Sequence, residues 1–555
     1  MQVDKIIKNA KVFTSNKDQL DASAFAVKDG KFVYVGDEAG LDDFTGEEID
    51  LAGKFVMPGI IDAHVHLPVC VGALSLGDMH FVPGSSKDEC IQFMKDVVNS
   101  SDEVRYTFLI TLASLAGEML TQEDLDTVSS EKEIFVVESE MHSSWANSVI
   151  LNNMGITDDT PDMVEGLSYY VRDDEGHITG NCFEGPHFCM VMRHDDEIPD
   201  DAIESEFERW VENSKKIGVT SVFEAGTPGS AALTERGLKI LCDMDRRGML
   251  PITIEGSYMI YDPAQAEGAI DELVRQHETY NTEHVKVNTL KLMFDGTMNI
   301  RTACMIEPYE DTKTFGGRLF NEDQVADLLR KLNKLGFNLH AHCVADGSNR
   351  TILNAVEMVK NELGDDFRVR VTTAHNELIN DEDIPRYAKL GVMANFTPWW
   401  HSGCCMAGGY EGGKKFLGDR IDKMYRSKSL WKSGATVCWS CDTTSFGDFS
   451  TWNPMLGIEV GITRKIDRNT NITMDEGFSD TPWPAAEESM SIEEMLLGYT
   501  INNATQLCLE DKKGSIEVGK DADFLIFEED LTSVKPDRLS HLEPEQVFFT
   551  GQQVK

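Results

Sequence analysis

Two histidines separated by one residue, His64 and His66, are the most informative side chains in this sequence. They lie in the segment VMPGIIDAHVHL, whose apolar pattern predicts a strand. Alternate residues of a strand share a face, so both imidazoles are expected to point the same way. Two neutral imidazoles on one face can bind a divalent metal ion, and nitrogen ligands favour zinc or a similar ion. A pair of this kind can equally be packed core, so further ligands are needed.

Other side chains able to bind a metal follow later apolar strands. FNLHAHC contains His340 and His342, VRVTTAH ends at His375, and ATVCWSCD ends at Asp442. The strand in VNTLKLMFDG carries Lys291. Each of these residues alone is well explained as packing. Because (β/α)₈ barrels place their chemistry at the C-terminal ends of the strands, the joint pattern predicts one site there.

The spacing of these residues agrees with barrel strands, since one βα unit takes about 30 residues. His342 and His375 lie about one unit apart, and His375 and Asp442 about two. Lys291 precedes His342 by one βα unit that includes a long loop. The interval between the histidine pair and Lys291 exceeds three units, which predicts an inserted subdomain at about 70–200. The ligands then fall on strands one, four, five, six and eight.

The sequences at the two ends of the chain have a different pattern, in which short predicted strands are separated by glycine and aspartate. Asp29-Gly30 lies between two alternating apolar runs, which is a strong hairpin signal. Residues 1–57 and 512–555 are therefore predicted to pair as one β-sandwich domain. Residues 58–511 alternate helices and strands and are predicted to form an α/β barrel, the catalytic domain.

Composition excludes several classes of function. The 555 residues include 51 Lys plus Arg against 95 Asp plus Glu, a formal net charge of −44. Such an acidic surface repels phosphate backbones and anionic lipids, so neither nucleic acid nor membrane is an expected partner. The N-terminus has no apolar run typical of a signal peptide, and twelve dilute cysteines suggest reduced thiols. We expect a cytoplasmic protein with a small-molecule substrate, and a homodimer is compatible with the sequence.

Several motifs give the sequence a family resemblance. PGIIDAHVH, HCVADGSNR, TTAHNELI and the strand-ending Asp442 resemble the amidohydrolase superfamily. EMHSSWANS, RDDEGHITGNCFE, KLMFDGT and GSIEVGKDADFLIF resemble amidohydrolase family 3, the YtcJ-like group, over nearly the whole chain. The resemblance implies a (β/α)₈ TIM barrel with a composite β-sandwich from both chain ends, and a metal-dependent hydrolase.

The resemblance also implies roles for individual residues. One or two divalent ions, zinc first, are expected on six side chains: His64, His66, Lys291, His342, His375 and Asp442. Lys291 matches a lysine that is carboxylated in many superfamily members and bridges two metals. Metal-activated water would attack a carbonyl, and Asp442 would move the proton to a leaving amine.

Candidate substrate contacts come from outside the ligand set. His142 is the first, and Glu184 and Asp295 are expected to act similarly. The aromatic residues near the strand ends could line an apolar pocket, although aromatics are more often core; they are Trp399, Trp400, His401, Trp439 and Trp452.

Two other functions remain open from the sequence. One is deamination of a heterocycle, for which related enzymes usually place a glutamate three residues after the strand-five histidine. Ala345 occupies that position here, and Lys291 is present, so hydrolysis of a C–N amide bond is favoured. The other is a scaffold without activity, which the complete ligand set disfavours.

Overall fold

Eight parallel strands form the centre of the protein. The computed structural model describes residues 1–67, 76–115, 117–442, 449–472 and 478–555. The strands are adjacent in chain order. They are β1 (Ile60–Val65), β2 (Val219–Glu224), β3 (Thr253–Ile260), β4 (Val285–Leu292), β5 (Asn338–Cys343), β6 (Val371–His375), β7 (Met393–Phe396) and β8 (Val437–Trp439). A parallel bridge between Val65 and Asp442 links the two edge strands and closes a barrel.

Helices cover the outside of this barrel. The principal ones are Asp200–Ile217, Ala231–Arg246, Ala269–Thr279, Glu322–Leu335, Asp346–Leu363, Ile384–Leu390, Gly409–Leu417, Ser427–Lys432, Pro454–Thr463, Ile492–Leu497 and Asn503–Gln506. Local sequence sets their ends. Asn321 and Gln324 form a capping box at one start, and Gly336 at φ +80° ends that helix. No helix within the described ranges has both the length and the apolar character that crossing a bilayer demands.

Strands from both chain ends share one sheet. The order of its six strands is Gln552–Gln553, Gln546–Phe549, Phe524–Phe527, Phe55–Pro58, Lys11–Phe13 and Asp21–Ala22. A four-stranded sheet packs against it; its strands are Gln2–Lys8, Ala24–Lys28, Lys31–Gly36 and Thr45–Asp50. Phe25 and Phe32 of that sheet meet Phe524 edge-on and tilted, with ring centroids 5.0 and 6.2 Å apart. The predicted fold class is confirmed; the residue boundaries of the domains stay a prediction.

The predicted hairpin at Asp29-Gly30 is also present. Lys28 pairs with Lys31, and the two turn residues have φ of +50° and +75°. A two-residue hairpin turn of type I′ requires left-handed conformations at both of its central residues. Aspartate and glycine therefore fix the register of the two flanking strands.

The chain between β1 and β2 forms a third sheet, where the sequence suggested only an irregular insertion. Its six strands are Tyr169–Arg172, Ile178–Phe183, Ser143–Ala146, Glu133–Glu138, Arg105–Ile110 and Met79–Phe81, in that order. Helices Lys87–Ser100, Gln122–Asp126, Ser148–Asn153 and Gly185–Val191 accompany it. Residues 70–75 and residue 116 of the predicted insertion lie outside the described residues. The sheet has its own apolar core, which includes Phe108 and Trp145.

Glu255 on β3 should make stability depend on pH. Its side chain is buried beside Asn288, and this burial raises the pKa of Glu255 from 4.5 to about 7. The folded chain therefore keeps a proton that the unfolded chain has lost, so stability falls as pH rises from about 4.5 to 7. Glu255→Gln does not titrate and can still accept from Asn288.

We expect the unfolding free energy of Glu255→Gln, relative to that of the wild type, to increase by about 2 kcal/mol between pH 5 and pH 8. Denaturant unfolding at both pH values measures this difference. Glu278→Gln, on an exposed surface, controls for the loss of one negative charge. An equal advantage of Glu255→Gln at both pH values would contradict the prediction.

Candidate metal centre

The predicted ligands meet at the C-terminal ends of the barrel strands. His64 Nε2 lies 3.2 Å from His66 Nε2, 3.1 Å from Lys291 Nζ and 3.3 Å from Asp442 Oδ1. The rings of His342 and His375 are 4.6 Å apart, and His375 is 5.1 Å from the His64 ring. The structure therefore brings together all six side chains from strands one, four, five, six and eight.

Three of these residues converge closely enough to share one ion. Ligand atoms of His64, His66 and Asp442 all lie within 4.8 Å of one another. Among the described residues, no donor hydrogen-bonds to the buried Oδ1 of Asp442. A buried carboxylate oxygen without a donor is costly unless a cation occupies its lone pairs. Two imidazoles and a carboxylate match the ligands that zinc and similar ions prefer, so these residues fit a divalent metal.

Burial keeps the imidazoles in the neutral form that binds metal. Desolvation, assisted by the nearby Lys291, lowers the pKa of His66 to about 3. The same causes lower the pKa of His64 well below its usual range, and His375 shifts in the same direction by burial and by His342. Metal binding at these nitrogens therefore needs no competing loss of a proton.

The hydrogen bond of His66 fixes which of its nitrogens faces the site. Nδ1 lies 2.5 Å from the carbonyl oxygen of Gly226, which can only accept, so Nδ1 carries the proton. Glu224 holds this loop, because its carboxylate accepts from the backbone N–H groups of Leu67 and Gly226 at 2.6 and 2.7 Å. His66 thus presents an Nε2 lone pair to His64 and Asp442.

His340 has a role that sequence reasoning did not assign. Its Nε2 lies 3.0 Å from Nδ1 of His64, and both residues are buried. If His64 binds metal through Nε2, its Nδ1 carries the proton and donates to His340. His340 stacks on Phe223 with ring centroids 4.6 Å apart. The His-x-His spacing in β5, which puts His340 and His342 on one face, was the available signal.

Lys291 is a buried amine beside the histidines. Its side chain is fully inaccessible, and desolvation lowers the pKa of Lys291 to about 7, a shift that Asp442 partly opposes. A lysine with this pKa is largely neutral at slightly alkaline pH and can act as a nucleophile. Lys291 is therefore not a surface lysine whose amine extends into solvent.

Asp295, which the sequence suggested as a substrate contact, is placed by the structure against His342. It is fully buried behind His342 and accepts from His342 Nδ1 at 3.0 Å. The backbone N–H groups of Val344 and Ala345 donate to it at 2.9 and 3.1 Å. Asp295 therefore orients His342, whose Nε2 faces away from it, and ties β4 to the end of β5.

Two of the predicted ligands have left-handed backbone conformations. His375 has φ of +75° and Asp442 has φ of +68°. Such conformations are costly for non-glycine residues and persist where neighbouring structure holds them. The N–H of Asp442 donates to the His64 carbonyl at 3.0 Å, and Trp400 stacks on His375 at 5.1 Å. Both side chains are therefore turned into the site by fixed contacts.

The insertion contributes His142 to the site. Its Nδ1 lies 2.8 Å from Glu184 Oε2, and its ring is 6.1 Å from that of His342. Burial lowers the pKa of His142, but Glu184 more than offsets this, so the pKa is raised overall. Glu184 is almost inaccessible and its other oxygen accepts from Thr302 at 2.8 Å. The position of Glu184 supports a role in orienting His142 and not in contacting a substrate.

The aromatic residues divide into two groups. Trp400 contacts His375, and Trp399 Nε1 donates to the carbonyl of Cys441 at 3.1 Å. The other three are fully buried and belong to the core: His401, Trp439 and Trp452. Within the part of the chain that the structure describes, these three side chains have no exposed surface with which to line a pocket.

A barrel with this arrangement of ligands defines a class of metal-dependent hydrolases. Residues 47–555 match the amidohydrolase family, and the chain belongs to it. The chain is 24% identical to the putative amidohydrolase YtcJ of Bacillus subtilis, covering 98% of this chain and 97% of the relative. It is also 24% identical to N-substituted formamide deformylase of Arthrobacter pascens, with 99% and 97% covered.

A solved structure supports the fold. A metal-dependent hydrolase from Pyrococcus horikoshii OT3 matches with a TM-score of 0.67 and 21% identity, covering 96% of this chain and 99% of that one. The match includes the sandwich, the barrel and the insertion together, because almost the whole of both chains is aligned. The predicted resemblance to amidohydrolase family 3 and its YtcJ-like group is confirmed.

Proposed function

We propose that this protein hydrolyses an amide-type C–N bond of a small molecule. The convergence of His64, His66 and Asp442, with a buried Oδ1 to which no described residue donates, carries this proposal. When bound there, a divalent metal, with zinc favoured by the nitrogen ligands, supplies Lewis-acid activation of water and of the carbonyl group. Family membership supports the same class of chemistry.

A second ion would use the other histidines. The rings of His342 and His375 are 4.6 Å apart, and the buried amine of Lys291 lies 3.1 Å from His64 Nε2. Carboxylation of Lys291 forms a bond between Nζ and the carbon of CO₂ and releases one proton. The carbamate would offer two oxygens, so Lys291 would help to hold both ions.

Asp442 would transfer protons, and His142 would stabilise developing negative charge. Burial raises the pKa of Asp442, with Lys291 and His342 opposing, which makes its carboxylate a better proton acceptor. It can take a proton from the attacking water and deliver it to the leaving nitrogen. The Glu184-paired imidazole of His142 can donate a hydrogen bond to the oxygen on which negative charge develops.

The experiment that tests this function is a reaction screen with metal-stripped protein reloaded with zinc or manganese. N-formyl and N-acyl amines come first, because one relative is an N-substituted formamide deformylase. Release of a primary amine supports the proposal. Release of ammonia from heterocycles supports the deaminase alternative instead. No release of either product with either metal would contradict the proposed function.

Metal content gives a test that needs no substrate. We expect about one or two equivalents of divalent metal per purified chain, and a loss of most of it in the His64→Ala/His66→Ala double variant. His177→Ala, on an exposed side chain of the insertion, should keep its metal. Elemental analysis of the three proteins measures the difference. Equal metal content in all three would place any ion elsewhere.

The size of the substrate, the cellular location and the oligomeric state of the protein are also part of the proposal. A small-molecule substrate agrees with a site enclosed by the barrel ends and the insertion. We also propose a cytoplasmic location, on the cysteine usage, and leave a homodimer as the assembly to test. Light scattering on the purified chain measures that assembly directly.

A further inference from the structure

Two adjacent thiols lie side by side at the edge of the metal centre. Cys404 and Cys405 occupy the turn between Pro398–Ser402 and Gly409–Leu417, and their Sγ atoms are 3.6 Å apart. Both are free and partly exposed. Adjacent side chains of an extended chain point to opposite sides. The turn after Gly403, which has φ of +74°, instead directs both sulfurs the same way.

We propose that Cys404 and Cys405 form a chelating site for a soft, thiophilic metal or metalloid ion, separate from the histidine centre. Two thiolates bound at about 2.3 Å in tetrahedral geometry lie about 3.8 Å apart. The observed 3.6 Å is close to that separation. The pair therefore needs little movement to hold one ion.

The same geometry disfavours a disulfide between the two residues. Consecutive Cα atoms across a trans peptide are about 3.8 Å apart. Disulfides usually join Cα atoms separated by about 4.4–6.8 Å. A direct S–S bond would therefore strain the turn, whereas an ion between the sulfurs would not.

The surroundings favour a cation on a thiolate pair. The thiol of Cys405 hydrogen-bonds to Cys404 and lowers the pKa of Cys404, with help from Ser402. That same bond and burial raise the pKa of Cys405, and the carboxylates of Glu377 and Glu140 add to the rise. Cys404 therefore loses its proton first. A bound cation would then favour loss of the proton from Cys405, because it offsets the negative charge of the two thiolates.

The thiol pair is connected to the catalytic side of the barrel. Cys404 Sγ contacts the Trp399 carbonyl at 3.6 Å, and Trp399 donates to Cys441, the neighbour of Asp442. Trp400, in the same turn, stacks on His375. An ion held by the thiols would therefore lie beside the turn that carries Trp399 and Trp400.

Phenylarsine oxide is the probe, because trivalent arsenic prefers two neighbouring thiols. Its As=O group is replaced by two As–S bonds, and the two thiol protons leave with the oxygen as one water. The oxidation state of arsenic does not change. A single thiol cannot form this closed ring, so a monothiol competitor should not remove the adduct while a dithiol should.

Intact-protein mass spectrometry tests the proposal on the full chain. We expect one adduct per chain that survives excess monothiol and is removed by dithiothreitol. Cys404→Ser and Cys405→Ser should each lose it, and Cys508→Ser, which changes an exposed cysteine elsewhere, should retain it. Circular dichroism of each variant confirms that it is folded.

The opposite pattern would overturn the proposal. Absence of a dithiol-reversible adduct on the wild type, or its retention by both folded single variants, would exclude this site. The mass readout needs no substrate and no metal in the histidine centre. It therefore separates a failure of the thiol site from a failure of the proposed hydrolase function.

Discussion

Replacing Asp442 with asparagine should lower turnover by about 10²–10⁴-fold while the fold and much of the metal remain. Asparagine keeps the shape of the side chain and one oxygen ligand, but it cannot accept a proton at neutral pH. The loss should appear mainly in kcat, since substrate binding does not require this proton transfer. Turnover per bound metal, with metal measured on the same sample, is the quantity to compare.

Asp174→Asn is the matched control, because it makes the same change on an exposed turn of the insertion. It should retain wild-type turnover and metal. If Asp442→Asn keeps its activity per metal, the proton acceptor must be another group. His142, which lies beside His342, would then be the next residue to replace.

Replacing His340 with leucine should weaken metal binding by about 10–100-fold. The change leaves Nδ1–H of His64 without its acceptor in a buried setting, so the ring is no longer held with Nε2 toward the site. Competition with a chelator of known affinity measures the metal affinity directly. The absorption spectrum of the cobalt-loaded protein should change as well, because the geometry of His64 sets the ligand field.

His340→Gln separates orientation from packing. A glutamine oxygen can accept from His64, so this variant should recover part of the lost affinity, whereas a purely structural role would make both replacements equivalent. Equal metal affinity in wild type and His340→Leu would contradict the role assigned to His340. Neither variant changes a residue that contacts the ion itself.

The barrel could be predicted because each strand carries a short local signal. The βα spacing placed Lys291, His342, His375 and Asp442 on strands four, five, six and eight. The structure has the first three in those strands and Asp442 three residues after strand eight. Period-two alternation likewise put His64 and His66 on one face. These signals depend only on neighbouring residues and the length of a βα unit.

The supporting contacts could not be predicted, because they join residues far apart in sequence. Asp295 reads as a turn residue beside Gly296, and only the folded loop shows it accepting from His342. Glu184 pairs with His142 across the insertion sheet, whose six-stranded order no local pattern revealed. Sequence patterns indicate which face a side chain occupies, but they do not show which distant group meets it.

The bridge between Val65 and Asp442 has a consequence for synthesis of the protein. Domains begin to fold as the chain leaves the ribosome, N-terminal part first. His64 and His66 emerge early, yet the carboxylate that completes their ion site belongs to the last strand of the barrel. The site can thus gather its full ligand set only after nearly the whole barrel has been made. The nascent chain is thereby kept from holding a metal tightly until its fold is almost finished.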